Sequence, residues 1–313
     1  MTGAPLPEPA VSPTATESGV PSTARPPRPR WRETLGLLIR NPTAATAATL
    51  LLLIVLMAVL DESLAPSGPN EIDVEDRLQP PSLAHPFGTD DLGRDILSRV
   101  VLGAGVSLRV GFLAVAFALV VGSLIGLLAG FYGRWVDDVL MRFMDVLFAF
   151  PAVLLAIAVL AVRGPGAGNT ALAIGIVYIP VFARVTRASV LGVREEVYVR
   201  ASRSVGASDL RLLTRHVLPN AAPPIIVQTS ISLAFAVLAE AALSFLGLGT
   251  QRPNPSWGLM LAEGRGYIDL AWWIAFFPGM AIFLTVLCFN LLGDGLRDVL
   301  DPRQRTLMAG GGR

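Results

Sequence analysis

Lysine is missing from this chain of 313 residues, because all 25 of its basic residues are arginines. A phosphate-binding loop of the GxxxxGK[ST] type requires its lysine, so the chain cannot itself carry an ATPase site of that class. The one cysteine, Cys288, excludes an intrachain disulfide. With only two histidines, His85 and His216, the sequence contains no recognisable metal-binding pattern. A net charge of +1 gives no support for binding to nucleic acid.

Charged residues of both signs are also scarce, at 16% of the chain against 53% hydrophobic residues. Soluble domains carry about a quarter charged residues. The apolar residues are concentrated in six runs, each close to the ~20 residues that cross a bilayer as a helix. These runs cover residues 41–60, 110–133, 146–162 with a backward extension past residue 142, 164–183, about 224–249 and 270–293. The sequence therefore predicts an all-α membrane protein with six transmembrane helices.

The distribution of arginines predicts how these helices are oriented. If the N-terminus is inside, 18 of the 25 arginines fall on the cytoplasmic side and 7 on the other. Because positively charged segments stay in the cytoplasm, both termini are expected there. Four regions follow from this topology. They are a disordered Pro/Arg-rich cytoplasmic tail (1–40), a first helix with an external loop (41–104), the main transmembrane domain (105–294) and a cytoplasmic C-terminal tail (295–313).

Two features of the apolar part have open interpretations. The external loop, taken as residues 61–105, is acidic but matches no calcium-binding pattern, which favours a solvated loop over a cation site. Gly122, Gly126 and Gly130 form two overlapping GxxxG steps, which predict a close helix–helix contact. That contact is either ordinary bundle packing or a contact that moves.

Residues 194–219 form the least membrane-like segment between the apolar runs. A helix is predicted at 195–205, with an apolar stripe at i, i+4 and i+8 formed by Val197, Ala201 and Val205. Gly206 suits a left-handed stop after this helix. A second short helix, with a stripe of Leu210, Leu213 and Val217, is expected to begin at Asp209, with Ser208 as its cap, and to end at Pro219.

The residues alone leave two roles open for this segment. A compact pair of helices with an apolar face and a basic rim can enter a groove on a partner protein. The same pattern is compatible with an amphipathic helix that lies on the membrane surface.

This segment resembles the coupling motif of bacterial ABC importer permeases, E-A-A-x₃-G-x₉-I-x-L-P. Arg200 replaces the Glu of the motif, and His216 replaces the Ile. The resemblance implies an ATPase-coupling loop formed by Arg200, Ala201, Ser202, Gly206, Ala207, Ser208, Asp209, Leu218 and Pro219.

Three further segments resemble the dipeptide/oligopeptide/nickel branch of these permeases, in particular its second (C-type) subunit. They are HPFGTDDLGRDILSR at 85–99, EAALSFLGLG with PNPSWG at 240–258, and NLLGDGLRDVLDP at 290–302. The resemblance extends from about residue 40 to about residue 305. It implies the ABC type I importer permease fold and a place in the inner membrane.

The resemblance also implies a function. The chain would be no enzyme but half of the translocation pore of an ATP-driven importer for dipeptides or oligopeptides, with nickel or glutathione as the alternative cargo. Its partners would be a homologous permease subunit, two ABC ATPase subunits and an extracytoplasmic solute-binding protein. ATP and Mg would bind to the ATPase subunits and no cofactor to this chain. A stand-alone secondary transporter would instead show internal inverted repeats, and no clear repeat is seen.

Two further sets of residues are candidates for function. Glu240 interrupts the fifth apolar run, where a carboxylate at mid-bilayer costs about 3 kcal/mol. It either lines the translocation path or makes a structural pair near the membrane surface. Pro253, Asn254, Pro255 and Trp257 are expected either to contact the solute-binding protein or to form only a rigid turn.

Overall fold

The structure is a computed structural model in which residues 36–38, 41–60, 68 and 70–300 are described. Within these residues the chain is helical, and its only β-type pairing is an isolated bridge between Thr89 and Asp95. The principal helices are α1 Pro42–Val59, α2 Ile96–Tyr132, α3 Arg134–Phe148, α4 Ala152–Arg163, α5 Ala167–Arg194, α6 Val197–Ser204, α7 Asp209–Phe245, α8 Trp257–Gly264 and α9 Trp273–Leu300. Most of the tail predicted at 1–40, and residues 301–313, lie outside the described residues.

Five of these helices, α1, α2, α5, α7 and α9, are long and apolar enough to cross a membrane. A sixth crossing exists only if α3 and α4 are taken together, and these two helices are bent by 89° at their junction. The prediction of one continuous third span through residue 142 is therefore wrong. Pro151 stands immediately before α4, and because a proline removes a helical hydrogen bond it can kink or end a helix, as it does here.

Helix α2 is much longer than the span predicted for it. Its 37 residues extend for about 55 Å, against a hydrocarbon layer of about 30 Å. The uncharged residues 110–133 match the layer, so residues 96–109 extend beyond it. The preceding loop consequently ends at Asp95, and the predicted boundaries at 104 and 105 fall inside a helix.

Helix α7 also begins earlier than predicted, at Asp209 rather than near residue 224. Pro219 does not end a short helix, since the chain continues through it and through Pro223 and Pro224 without a break. A π-helical turn at Leu212–Val217 immediately precedes the prolines. Proline lacks an N–H and its ring displaces the carbonyl four residues earlier, so a widened turn at this place accommodates Pro219.

The last helix likewise exceeds its prediction. Helix α9 continues to Leu300, so the tail expected from residue 295 can begin only after that residue. Gly295 of α9 packs against α1, because a Cβ built on it would overlap Cβ of Ala44. Close packing therefore extends to the end of the bundle and explains a glycine at this position.

The closest helix pair in the bundle is α2 with α5, and the predicted GxxxG contact is confirmed. A Cβ at Gly122 would meet the carbonyl oxygen of Ile179 at 2.6 Å, and one at Gly126 would overlap the carbonyl oxygen of Ala183. A Cβ at Gly130 would lie 2.9 Å from Val190. The three glycines therefore let the two backbones touch.

The alternating directions of the spans give the bundle two ends. One carries residues 194–219 and is called the elbow end. The other carries residues 70–95 and 246–272 and is called the loop end. Helix α7 begins at the elbow end and finishes at the loop end, so one helix connects the two candidate sites.

Candidate functional site

The elbow, residues 194–219, is seated on the bundle by a compact apolar cluster. Val199 of α6 is buried together with Leu212, Leu213 and Val217 from the start of α7. These side chains pack against Phe131 and Val190, at the ends of α2 and α5, and against Ala221. The elbow thus packs directly on α2 and α5, so a displacement of the elbow would be transmitted to these two helices.

The break between the two elbow helices has the geometry that the sequence predicts. Gly206 has φ of +83°, in the left-handed region. Its N–H donates to the carbonyl of Arg203 at 3.0 Å, and the N–H of Ala207 donates to the carbonyl of Ser202 at 3.1 Å. This pair of bonds is a Schellman motif, in which a glycine terminates the helix because it has no Cβ to clash.

The predicted apolar stripe of the first elbow helix points away from the bundle. The exposed fractions are 71% for Val197 and 84% for Val205, and Ala201 between them is exposed as well. Exposed apolar side chains arranged together on one face are typical of an interaction site. The face that seats the elbow carries Val199 instead, so the exposed and bundle-facing sides of α6 are distinct.

A basic rim surrounds this stripe. All four of its members are exposed: Arg200, Arg203, Arg211 and Arg215. The guanidinium of Arg203 lies 5.3 Å from the centre of the Phe131 ring, which ties one member of the rim to the bundle. Arg200, at the position of the motif Glu, lies on the open side.

The remaining coupling residues are also accessible, with two differences from the prediction. Ala201, Gly206, Ser208, Asp209, Leu218 and Pro219 are exposed, and Ser202 and Ala207 are half-buried. Ser208 occupies the N-cap position of α7, but its side chain makes no capping hydrogen bond. Leu210, expected on a stripe with Leu213 and Val217, is 72% exposed while the other two are buried, because the π turn shifts the helical register.

At the loop end, a buried ionic cluster joins three segments that are distant in sequence. Glu263 of α8 receives hydrogen bonds from Arg99 at 2.8 Å and from Arg252 at 2.7 Å. Arg94 reaches Asp90 at 2.6 Å and lies 3.5 Å from Glu263. Arg99 is 1% exposed, so its charge is compensated almost wholly inside the protein. The carboxylate of Glu263 also raises the pKa of Arg252.

The acidic loop is therefore not simply solvated, which corrects that interpretation. Asp95 caps α2 through the N–H of Ser98 at 2.8 Å and also contacts His85 at 3.1 Å. Asp76 lies 3.4 Å from the other ring nitrogen of His85. The hydrogen bond to Asp95, together with Asp76, raises the pKa of His85. Among the residues that the structure describes, no three His, Cys, Asp or Glu side chains are arranged so that they could hold a metal ion.

The four loop residues expected to contact a binding protein divide into two pairs. Pro253 and Asn254 are exposed, whereas Pro255 and Trp257 are buried. The Trp257 indole is 0% exposed and donates through Nε1 to the carbonyl of Val100 at 3.0 Å. Trp257 therefore anchors the loop to α2, and its side chain is not part of the exposed loop surface.

Glu240 is completely buried in this structure. Its Oε1 accepts a hydrogen bond from Ser244 at 2.7 Å, and the hydroxyls of Ser107, Thr250 and Ser256 are close enough to act on the carboxyl. Ser107 lies within the part of α2 that extends beyond the uncharged run 110–133. The carboxyl thus lies near the membrane boundary. In this conformation its position favours a structural pair over a place on the translocation path.

Comparison with known proteins places this geometry in context. The model of the family "binding-protein-dependent transport system inner membrane component" matches residues 122–306, and that of the "N-terminal TM domain of oligopeptide transport permease C" matches residues 30–81. The dipeptide transport system permease protein DppC of Alkalihalophilus pseudofirmus is 46% identical over 88% of this chain and 91% of its own length.

Other similar proteins are also named as transport system permease proteins. A putative peptide transport system permease protein of Brucella abortus is 50% identical over 85% of this chain and 90% of its own length. The glutathione transport system permease protein GsiD of Escherichia coli is 46% identical over 88% of this chain and 91% of its own length. Among solved structures, an inward-facing methionine ABC transporter, MetNI, matches with a TM-score of 0.54 at 18% identity, over 66% of this chain and 98% of its own. That match shows the shared fold.

Proposed function

The chain belongs to the family of binding-protein-dependent transport system inner membrane components, and from this membership we propose that it forms half of the pore of an ATP-driven importer for dipeptides or oligopeptides. A homologous permease subunit would supply the other half. The chain is a translocation subunit of the inner membrane, not an enzyme. ATP and Mg would bind to two partner ATPase subunits.

The elbow carries the proposal for ATPase coupling. Its bundle-facing side is held by buried Val199, Leu212 and Val217, while Val197 and Val205 are left to solvent in the isolated chain. An apolar stripe of this kind is covered when it enters a groove on a partner. We therefore assign the elbow end, and both termini, to the cytoplasm, where the ATPase subunits act. The excess of arginines on this side agrees with that orientation.

The proposed mechanism is alternating access. ATP draws the two ATPase subunits together, and their grooves carry the two elbows with them. Because the elbow cluster packs on the ends of α2 and α5, its displacement rocks the helices of the bundle. ATP drives the change only to the extent that it binds one state of the complex more tightly than the other.

The loop end would face the solute-binding protein. Exposed Pro253 and Asn254 lie next to Arg252, whose side chain is 72% exposed, and together they offer a rigid, accessible docking surface. The observation that carries the whole proposal is the combination of family membership with an elbow whose apolar stripe is exposed.

A reconstitution experiment tests the proposal. Vesicles that contain this chain, its homologous permease, both ATPases and the binding protein should accumulate a labelled dipeptide only when ATP is present on the ATPase side. Vesicles with this chain alone should accumulate none. Accumulation by the chain alone would overturn the proposal, because it would require no external source of energy.

The cargo is tested by competition in the same vesicles. An excess of unlabelled dipeptide should abolish uptake. Glutathione is the second candidate, because relatives at 46% identity are named for its transport. If glutathione competes and is itself accumulated while dipeptides are not, glutathione replaces peptides as the cargo. Accumulation of nickel in place of either would reject both.

A further inference from the structure

A buried carboxyl and four hydroxyls connect the loop end to helices α2 and α7. We call them the hydroxyl latch: Glu240, Ser107, Ser244, Thr250 and Ser256. Every member is at most 5% exposed. They come from four places in the chain: α2, α7, the loop that follows α7, and the N-cap of α8.

The hydrogen bonds of the latch tie down both ends of the exposed loop. Ser244 donates to Glu240 at 2.7 Å and accepts from the N–H of Thr250 at 3.0 Å, which secures the start of the loop. At the other end, the N–H of Trp257 donates to Ser107 at 3.2 Å. The exposed docking residues, 252–254, lie between these two anchors.

The backbone segments around the latch are in close contact. A Cβ at Gly249 would fall on the Ser244 hydroxyl, and one at Gly258 would lie 2.6 Å from Cα of Ala241. A Cβ at Gly103 would come 3.2 Å from the Trp257 indole. The loop and α8 therefore pack against α7 and α2 at backbone distance.

From these contacts we infer that Glu240 is a positioning residue: through the hydroxyl latch it holds the docking loop 250–257 in the orientation that a solute-binding protein recognises, and it connects that loop to helix α7, whose other end forms the elbow. The inference rests on the proposed function and deepens it. Glu240 acts through its hydrogen bonds and not by contact with cargo.

A property of the carboxyl makes the inference testable with conservative variants. Oε2 of Glu240 and Oγ1 of Thr250 have no hydrogen-bond partner within the described chain. In Glu240→Gln the amide keeps an oxygen for Ser244 and replaces Oε2 with an NH₂ group, which can donate to a hydroxyl of the latch. In Glu240→Leu the hydrogen bond from Ser244 is lost at similar volume.

The experiment uses the complete complex in vesicles, with basal ATPase activity, binding-protein-stimulated ATPase activity and dipeptide uptake as readouts. For Glu240→Leu and Ser244→Ala, the concentration of binding protein for half-maximal stimulation should rise by about tenfold, as loss of a buried hydrogen-bonded group predicts. Basal ATPase should stay within about twofold. Glu240→Gln should match the wild type in all three readouts.

Ser230→Ala is the matched control, because Ser230 is also a buried serine of α7 but donates to the carbonyl of Phe289 at 2.8 Å, away from the latch. Its stimulation curve should be unchanged. As a direct readout, amide exchange at Thr250 and Trp257 should become faster in the Ser244→Ala complex and not in the control.

Two outcomes would overturn the inference. Wild-type stimulation by both Glu240→Leu and Ser244→Ala would show that the latch does not position the loop. A Glu240→Gln complex that keeps stimulated ATPase activity but loses uptake would place the carboxylate on the cargo path. If Glu240→Leu fails to assemble, Ser244→Ala and the exchange data decide. Failure of the proposed function would look different, because the wild-type complex itself would then show neither stimulation nor uptake.

Discussion

The two ends of the bundle differ in whether their characteristic side chains have partners within the chain. At the loop end, Arg99, Glu240 and Trp257 are buried and bonded within the chain, over sequence separations of up to 164 residues. At the elbow end, Val197 and Val205 are largely exposed, while the apolar cluster around Val199 seats the elbow on the bundle. The named loop-end side chains are thus bonded within the chain, whereas the elbow stripe is left uncovered by it.

This difference suggests a division of labour. A rigid loop end presents a preformed surface, which reduces the entropy lost when a binding protein docks. The elbow instead exposes apolar area that the proposed complex would bury, so its stability would depend on assembly. Each of the following changes tests whether the two ends differ in this way.

The largest expected effect is at the buried ionic cluster. Arg99→Leu leaves Asp90 and Glu263 buried with less compensation, which should destabilise the fold by about 3–5 kcal/mol. Arg252→Ala is the control, because Arg252 bonds the same carboxylate but is largely exposed, and its loss should cost less than about 1 kcal/mol. Thermal unfolding in detergent measures both. Equal shifts would show that burial does not distinguish the two arginines.

The next effect should appear only on assembly. Val197→Asp places a carboxylate in the exposed stripe at the first residue of α6, where the helix dipole tolerates it. We expect unchanged unfolding of the chain but about tenfold weaker association with the ATPase subunits, measured by co-purification. Ile72→Asp makes the same change on an exposed residue of the loop end and should leave association unaltered. A loss of association in both variants would contradict a localised coupling surface.

A smaller effect is expected at the elbow break. Gly206→Ala introduces a Cβ at φ of +83° with open space around it, so the cost is conformational alone, about 1 kcal/mol. Amide exchange in α6 should accelerate. Gly192→Ala is the control: it also has open surroundings but lies within helix α5 without a positive φ, and it should be neutral or stabilising. Equal acceleration in the two variants would exclude a special role for the Gly206 backbone.

The smallest effect concerns pH at the loop end. Asp95 and Asp76 raise the pKa of His85 in the folded state, so the stabilisation from protonated His85 is fully present below its unfolded pKa of about 6.5. It is lost as pH rises through the raised pKa. At pH about 5.5 the free energy of unfolding of the wild type should therefore exceed that of His85→Gln, by less than about 1 kcal/mol. This difference should shrink at pH about 8.5. If this difference in stability grew with pH, protonated His85 would not be the form that stabilises the fold.

Much of the fold could be predicted because its signals are local. Uncharged runs predict spans, and the stop at Gly206 follows from one glycine after a helical stripe. The errors lie where local rules compete. Pro219, Pro223 and Pro224 suggested a helix start, but a π turn and tertiary packing carry the helix through them. Helix α2 extends past its apolar run because Arg99 is compensated by Glu263, far away in sequence.

By itself the sequence determined that this chain crosses a membrane several times, that it lacks its own phosphate-binding lysine, and that one segment between the spans is an elbow with an apolar stripe. Only the tertiary structure decided which face of the elbow stays open, that Trp257 points inwards, and that Glu240 is completely buried with a hydrogen bond from Ser244. The physical reason is distance along the chain. Periodicity and turn chemistry act over a few residues, whereas compensation of a buried polar group depends on whichever remote segment the fold brings against it.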